Sequence, residues 1–227
     1  MKPEMIRTRS FAEDAASFVA HAAEDAIERH GFFRLALSGG TTPRAVYQAL
    51  ALRECRWSKW IVTFGDERCV PPDDQQSNYR MASEAFLMLV SPGEVFRIHG
   101  EIDPEEAAAQ YNHTLDSLAC RFGEKRYRHD LILLGFGEDG HTASLFPGTA
   151  ALDEKKRDVV SNFVPKLQGY RITFTYPQIN AARQVAFLVN DSKKEAMVQK
   201  VLQGGHSFPA EGVRPSDGEV VWLLGKQ

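Results

Sequence analysis

Three short stretches of this chain carry residue types that could do chemistry together. The first is Asp130–Gly148, DLILLGFGEDGHTASLFPG, which presents one histidine, His141, beside Asp139, Thr142 and Ser144. An imidazole with an ordinary pKa of about 6.5 can take up and return a proton near neutral pH, as a general base must. Gly135, Gly137 and Gly140 let the backbone turn sharply and come close to a ligand. The second stretch is Ser38-Gly39-Gly40-Thr41-Thr42-Pro43. Glycines between a strand and a helix start aim several N–H groups at one point, which attracts a phosphate; the alternative is an ordinary tight turn with a polar cap. The third is Gly65-Asp66-Glu67-Arg68, which is either a solvated turn or a source of charge at the same edge of the sheet. A base, an anion cradle and scattered cations fit hydrolysis or proton transfer on a small phosphorylated substrate.

Other chemistries meet specific objections. Gly135, Gly137 and Gly140 form a G-x-G-x-x-G after a strand, but Pro147 and Gly148 stop any helix within about two turns, where a dinucleotide site needs a long one. There is no G-x-S-x-G nucleophile elbow and no H-E-x-x-H or compact Cys/His/Asp set, so neither a serine hydrolase nor a catalytic metal is supported. Cys69 beside Arg68 reads as a loop cysteine rather than an activated thiol.

These residues need a rigid frame, and the chain can build one. Its 227 residues, 43% hydrophobic and 25% charged, suffice for one substantial core, and we expect a single α/β domain over 1–227. A net charge of -3 gives no reason to expect nucleic acid or an anionic membrane as partner. Three widely spaced cysteines fit a reduced, cytoplasmic protein without a disulfide framework, and no window approaches a membrane span.

The hydrophobic pattern alternates strand and helix. Strands are expected at Met5-Ile6, Phe33–Leu37, Trp60–Phe64, Val95–Ile98 (with His99 at its end), Leu131–Leu134, Asp158–Val164, Arg171–Tyr176, Gln184–Val189 and Glu219–Leu224. Ser10 and Glu13 make a capping-box pattern for a helix that Gly31 stops. Thr42 is the expected N-cap of the next helix, with Pro43 at its first position. Asn78 could cap a helix over Tyr79–Leu89, Asp103-Pro104 starts another, and Asp191 or Ser192 caps a last one through Leu202. Cys120 is read as a small core residue, and His21, His30 and His113 as surface residues. The pattern implies a doubly wound, mostly parallel sheet flanked by helices.

Taken together, Ser38–Pro43, Gly65-Asp66-Glu67-Arg68-x-Val70-Pro71, Ser77-Asn78-Tyr79, Gly135–Gly148 and Arg171-Ile172-Thr173 resemble the 6-phosphogluconolactonase family, in register from about Phe11 to the last strand. The resemblance implies the fold of glucosamine-6-phosphate deaminases and ribose-5-phosphate isomerases. It implies hydrolysis of 6-phospho-D-glucono-1,5-lactone to 6-phosphogluconate, with no metal or organic cofactor. On the chemistry of the residues we expect His141 to be the base, Arg68 and nearby backbone N–H groups to stabilise the carbonyl oxygen, and Asp66 or Asp139 to orient the imidazole or position Arg68. By the resemblance, Ser38, Gly39, Gly40, Thr41, Thr42, Asn78, Gly140, Arg171 and Lys194 become the substrate- and phosphate-binding residues. Lys194 stands where the family has Gly-x-x-Lys-Ala; here the stretch is Asp191-Ser192-Lys193-Lys194-Glu195, so Lys193 competes for the role. The expected partner is the small-molecule sugar-phosphate lactone, with no nucleic acid and no membrane, and the chain is expected to be a monomer or weak homo-oligomer. Related deaminases carry Asn-Glu-Pro where this chain has Leu145-Phe146-Pro147, which favours the lactonase. A deaminase or isomerase, or a sugar-phosphate sensor, remains the alternative.

Overall fold

The computed structural model describes residues 3–226. The chain opens with β1 (Glu4–Thr8), α1 (Phe11–His30), β2 (Phe33–Leu37) and α2 (Thr41–Ala51). β3 (Trp60–Phe64) and β4 (Asp66–Arg68) lead to α3 (Asn78–Ala82), which passes through a π turn at Ser83–Leu87 into α4 (Met88–Val90). β5 (Glu94–Val95), α5 (Pro104–Arg121) and β6 (Leu131–Leu134) precede a hairpin of β7 (Val159–Val164) and β8 (Gly169–Phe174). α6 (Tyr176–Ile179), β9 (Gln184–Val189), α7 (Glu195–Gln203) and β10 (Glu219–Gly225) complete the chain.

Seven strands form a parallel sheet in the order β1-β10-β9-β6-β2-β3-β5. Its inner strands are buried at every position of β2, β3 and β6, because helices cover both faces; β6 is wholly apolar, while β2 carries a buried Arg34 and β3 a buried Thr63. Cross-strand packing is tight where aromatics meet: Phe187 and Trp222 are register partners and stack with ring centroids 4.0 Å apart. The chain runs outward from β2 to β3 and β5, then returns to β6 on the other side of β2. That reversal opens a crevice between the carboxyl ends of β2 and β6, the place where an open α/β sheet binds ligands.

A second, antiparallel sheet in the order β4-β8-β7 stands against this edge. Gly65 joins the two: its N–H donates to Leu37 O at 2.8 Å, and its carbonyl accepts from Phe174 N at 2.8 Å. The sequence shows β8 as an alternating strand but leaves Asp66–Arg68 as either a solvated turn or charge at the sheet's edge, with no strand. Those three residues pair with Arg171–Thr173 instead, since their partner lies about a hundred residues downstream and leaves no local pattern.

Several local expectations are corrected. Ser10 is the N-cap of α1 but makes no side-chain cap bond, so there is no capping box; Asp14 N donates to the Ser10 carbonyl at 2.9 Å instead. α2 starts at Thr41, one residue before the expected cap, with Gly40 (φ +109°) as N-cap and Thr42 inside the first turn. Ser77, not Asn78, caps α3, its Oγ accepting from Arg80 N at 3.1 Å. Of Val95–Ile98 just Val95 lies in a strand. Cys120 is exposed rather than in the core. The start of α5 is as read: Asp103 accepts from the N–H groups of Glu105 and Glu106.

Candidate active site

A cleft of about 240 Å³ opens at the crevice between β2 and β6. Ser38–Pro43 form one wall and Gly135, Phe136, Gly137, His141 and Ala143 the other, while Asp66, Arg68, Leu188 and Lys194 close its ends.

The first wall is held from behind. The Tyr47 hydroxyl of α2 accepts from Ser38 N at 2.9 Å and donates to Ser38 O at 2.8 Å, fixing the loop as it leaves β2. Burial drives the Tyr47 phenol well above its ordinary range, so it serves as a hydrogen-bonding strut. Ser38 Oγ is buried and has no hydrogen-bond partner among the described residues. At Gly39 a β-carbon would overlap the Asn78 carboxamide, so glycine is required for the loop to sit this close to α3. The first turn of α2 has no acidic residue and no side-chain cap, which leaves the positive end of that helix facing the cleft.

The second wall carries His141. After β6 the chain makes a tight loop in which Gly140 N donates to Gly137 O at 3.0 Å and Gly137 N to His141 O at 2.9 Å. Gly140 needs its positive φ of +76° and lies against Phe208, whose Cβ would be 2.9 Å from an added β-carbon. Thr142 Oγ1 donates to Gly135 O at 2.8 Å, closing the loop on itself. The imidazole of His141 stacks on Phe146 with centroids 4.0 Å apart, and its Nδ1 hydrogen-bonds Asp139 Oδ1. Lys166 Nζ donates to the other oxygen, Oδ2, at 3.0 Å. Burial alone would raise the Asp139 pKa, but the hydrogen bonds from His141 and Lys166 outweigh it and hold the carboxyl at about 2. An ionised Asp139 accepts, so Nδ1 carries the proton and Nε2 is the basic nitrogen.

Asp66 and Arg68 arrive from β4. The reading of the sequence left open whether Asp66 or Asp139 orients the histidine or the arginine. Asp139 is the carboxylate in contact with His141. Asp66 instead accepts from Ser144 Oγ at 2.6 Å and from Asn78 Nδ2 at 3.2 Å, so it ties the histidine loop to α3 across the small sheet. Arg68 lines the cleft, with Nη1 donating to Gln76 O at 2.6 Å. Asn78 stands behind Gly39 and does not line the cleft, and Gly140 and Asp139 also lie one layer back.

The two distant cations separate. Lys194 lines the cleft with its Nζ donating to Phe136 O at 2.7 Å, whereas Lys193 is exposed and enters the structure through its backbone N–H on Asp191. Arg171 is paired with Arg68 in the small sheet, donates to Tyr170 O at 2.8 Å and does not line the cleft. Burial and the neighbouring Arg68 charge lower its pKa, so a nearby anion would relieve it.

Glu67, in the middle of the charged triplet, has no role of its own in the sequence reading. It is 2% exposed and accepts from Arg68 N, Asn78 N, Tyr79 N and Ser77 Oγ at 2.7 to 3.1 Å. Burial pushes its carboxyl above the usual range against the opposing pull of those N–H groups. It is the peg on which β4 and the start of α3 hang; apart from the adjacent Arg68 N–H, its partners at Ser77, Asn78 and Tyr79 lie 10 to 12 residues on, beyond any local pattern.

Comparison with known proteins gives a consistent result. The family profile described as "Glucosamine-6-phosphate isomerases/6-phosphogluconolactonase" matches residues 7–222. A 6-phosphogluconolactonase of Nostoc sp. is 39% identical over 88% of this chain and 85% of its own length. One from Synechocystis sp. is 38% identical over 98% of this chain and 94% of its own. Among solved structures, the 6-phosphogluconolactonase of Thermotoga maritima superposes with a TM-score of 0.87 at 26% identity, over 99% of this chain and all of that one. That of Trypanosoma brucei gives 0.84 at 29% identity, over 99% and 97%.

Proposed function

The chain belongs to the glucosamine-6-phosphate isomerase/6-phosphogluconolactonase family, and from that premise we propose that it hydrolyses 6-phospho-D-glucono-1,5-lactone to 6-phosphogluconate in the oxidative pentose phosphate pathway, with His141 as the general base. The observation that carries the residue assignment is the convergence of an Asp139-oriented imidazole and an uncapped helix start on one cleft.

In this reading the substrate's phosphate binds the N–H groups of Gly40–Thr42 and the Lys194 ammonium. Ser38 Oγ, buried without a partner, offers one more hydrogen bond. Anchoring the phosphate there turns the lactone carbonyl toward His141. Nε2 takes a proton from the attacking water while the Asp139 carboxylate steadies the imidazolium that forms. Arg68 stabilises the carbonyl oxygen as it gains charge. The imidazolium then returns its proton to the departing ring oxygen. Arg171 supplies positive potential from behind Arg68, and Asn78, Gly140 and Asp66 shape the walls. The whole chain acts as one catalytic unit in the cytoplasm and does so as a monomer or weak homo-oligomer.

The test is a dehydrogenase-coupled assay on freshly made 6-phosphogluconolactone, corrected for spontaneous hydrolysis. The wild type should turn over and His141→Ala should not, while still binding 6-phosphogluconate. Near-wild-type turnover by that variant would remove His141 from the mechanism. Ammonia release from glucosamine 6-phosphate, without lactone hydrolysis, would move the chain to the deaminase branch of the family.

A further inference from the structure

The β7–β8 hairpin reaches the active site through its turn. Pro165–Leu167 form a single tight turn, and Gln168 (φ +46°) redirects the chain into β8. Lys166 projects from this turn and puts Nζ 3.0 Å from Asp139 Oδ2, although its side chain is 68% exposed. A lysine free to point into solvent gives up side-chain freedom to make this contact. The Asp139 carboxylate is therefore held at both ends, by His141 on Oδ1 and by Lys166 on Oδ2.

We propose that Lys166 is a positioning residue, fixing the plane of the Asp139 carboxylate so that His141 keeps one tautomer and one orientation. This rests on the reading of His141 as the base. Without Lys166 the carboxylate would be held through Oδ1 alone, by the ring and the backbone N–H of His141 (3.3 Å for the latter); it could then swing about its Cβ–Cγ bond, and the imidazole would tilt or exchange tautomers. A second charge-assisted bond on the far oxygen removes that freedom. Lys166 acts among several charges: Asp139 and the exposed Glu138 on the loop itself, Asp66 and Arg68 from β4, and Lys194 from the segment after β9. Of the basic side chains among the described residues, Lys166 and His141 are those in contact with Asp139. The contact also explains why the small sheet is built as it is. Asp66 and Arg68 on β4, Arg171 on β8 and Lys166 at the hairpin tip all ride on one three-stranded unit.

The experiment compares Lys166→Met and Lys166→Arg with wild type, using steady-state kinetics and the ring-nitrogen NMR shifts of His141. Lys166→Met should lower kcat about three- to tenfold with KM within about twofold, since solvent screens the exposed ammonium. The nitrogen shifts should change from a single Nδ1–H tautomer to a mixture, and Lys166→Arg should restore both kcat and the shifts. Unchanged kinetics and ring shifts in Lys166→Met would overturn the proposal. So would a Lys166→Arg variant that behaves like Lys166→Met, or a fall in kcat that follows melting temperature with the ring shifts unmoved. If His141→Ala retained turnover, the base assignment would fail, yet the ring shifts would still report whether Lys166 fixes the imidazole.

Discussion

Gly137 lies so close to His141 that a β-carbon on it would overlap Nδ1 and Cε1 of the imidazole. The glycine there is a space for the ring, and the same loop bond that donates Gly137 N to His141 O sets the distance. Gly137→Ala should displace the imidazole by the better part of an ångström and cost about a hundredfold in kcat, with a much smaller change in KM. Gly135→Ala makes the contrast, because its β-carbon would meet nothing nearer than Gly39 O at 3.8 Å. Steady-state kinetics of the pair would refute this if both lost activity equally.

The family motif left two lysines competing for the phosphate, and the cleft wall includes one of them. Lys194→Ala should raise KM for the phosphorylated lactone about ten- to a hundredfold, the range of a charge-assisted hydrogen bond. Lys193→Ala should stay within about twofold. Arg171→Ala should fall between, since it acts on the phosphate through potential and not from the lining. Isothermal titration with 6-phosphogluconate ranks the three, and a larger loss at Lys193 than at Lys194 would reverse the assignment.

Glu67 gathers three backbone N–H groups and one hydroxyl in a buried place. Glu67→Gln keeps the size but turns an amide donor toward at least one of those donors. It should cost about 1–3 kcal/mol of unfolding free energy and loosen Arg68 and Asn78 together. Urea denaturation, with kinetics on the surviving folded fraction, checks both halves. Wild-type stability would show that the peg is dispensable.

His129 offers a pH-dependent test of the core. It is fully buried, with Nε2 2.8 Å from Thr63 Oγ1 and Nδ1 3.0 Å from Gln178 Nε2, and burial holds it at about 3, with Arg34 adding to the shift. The folded ring stays neutral while the unfolded one binds a proton below about 6.5, so unfolding takes up a proton and stability falls as pH drops between those values. This single group should contribute a slope of about 1.4 kcal/mol per pH unit there. His129→Gln, less stable at neutral pH, should lose less on acidification, so the two denaturation curves converge toward pH ~5. Parallel pH dependence in the two proteins would show that His129 is not the group responsible.

By itself the sequence determined the frame. The apolar run Leu131–Leu134 and the mostly apolar Trp60–Phe64 read as strands, and caps such as Asp103 are local events within a few residues. Glycine positions and the histidine among them likewise pointed to the two loops that line the cleft, because steric freedom and acid–base chemistry belong to residue type. The tertiary structure decided everything that depends on a partner far along the chain. It made Asp66–Arg68 a strand of a second sheet, buried Glu67, gave His141 to Asp139 rather than Asp66, and brought Lys194 to the cleft in preference to Lys193. It also carried Lys166 from a hairpin turn to the back of the base. A side chain's type is fixed when the chain is made, but its neighbour is chosen by the packing of whole elements, and no local pattern records that choice.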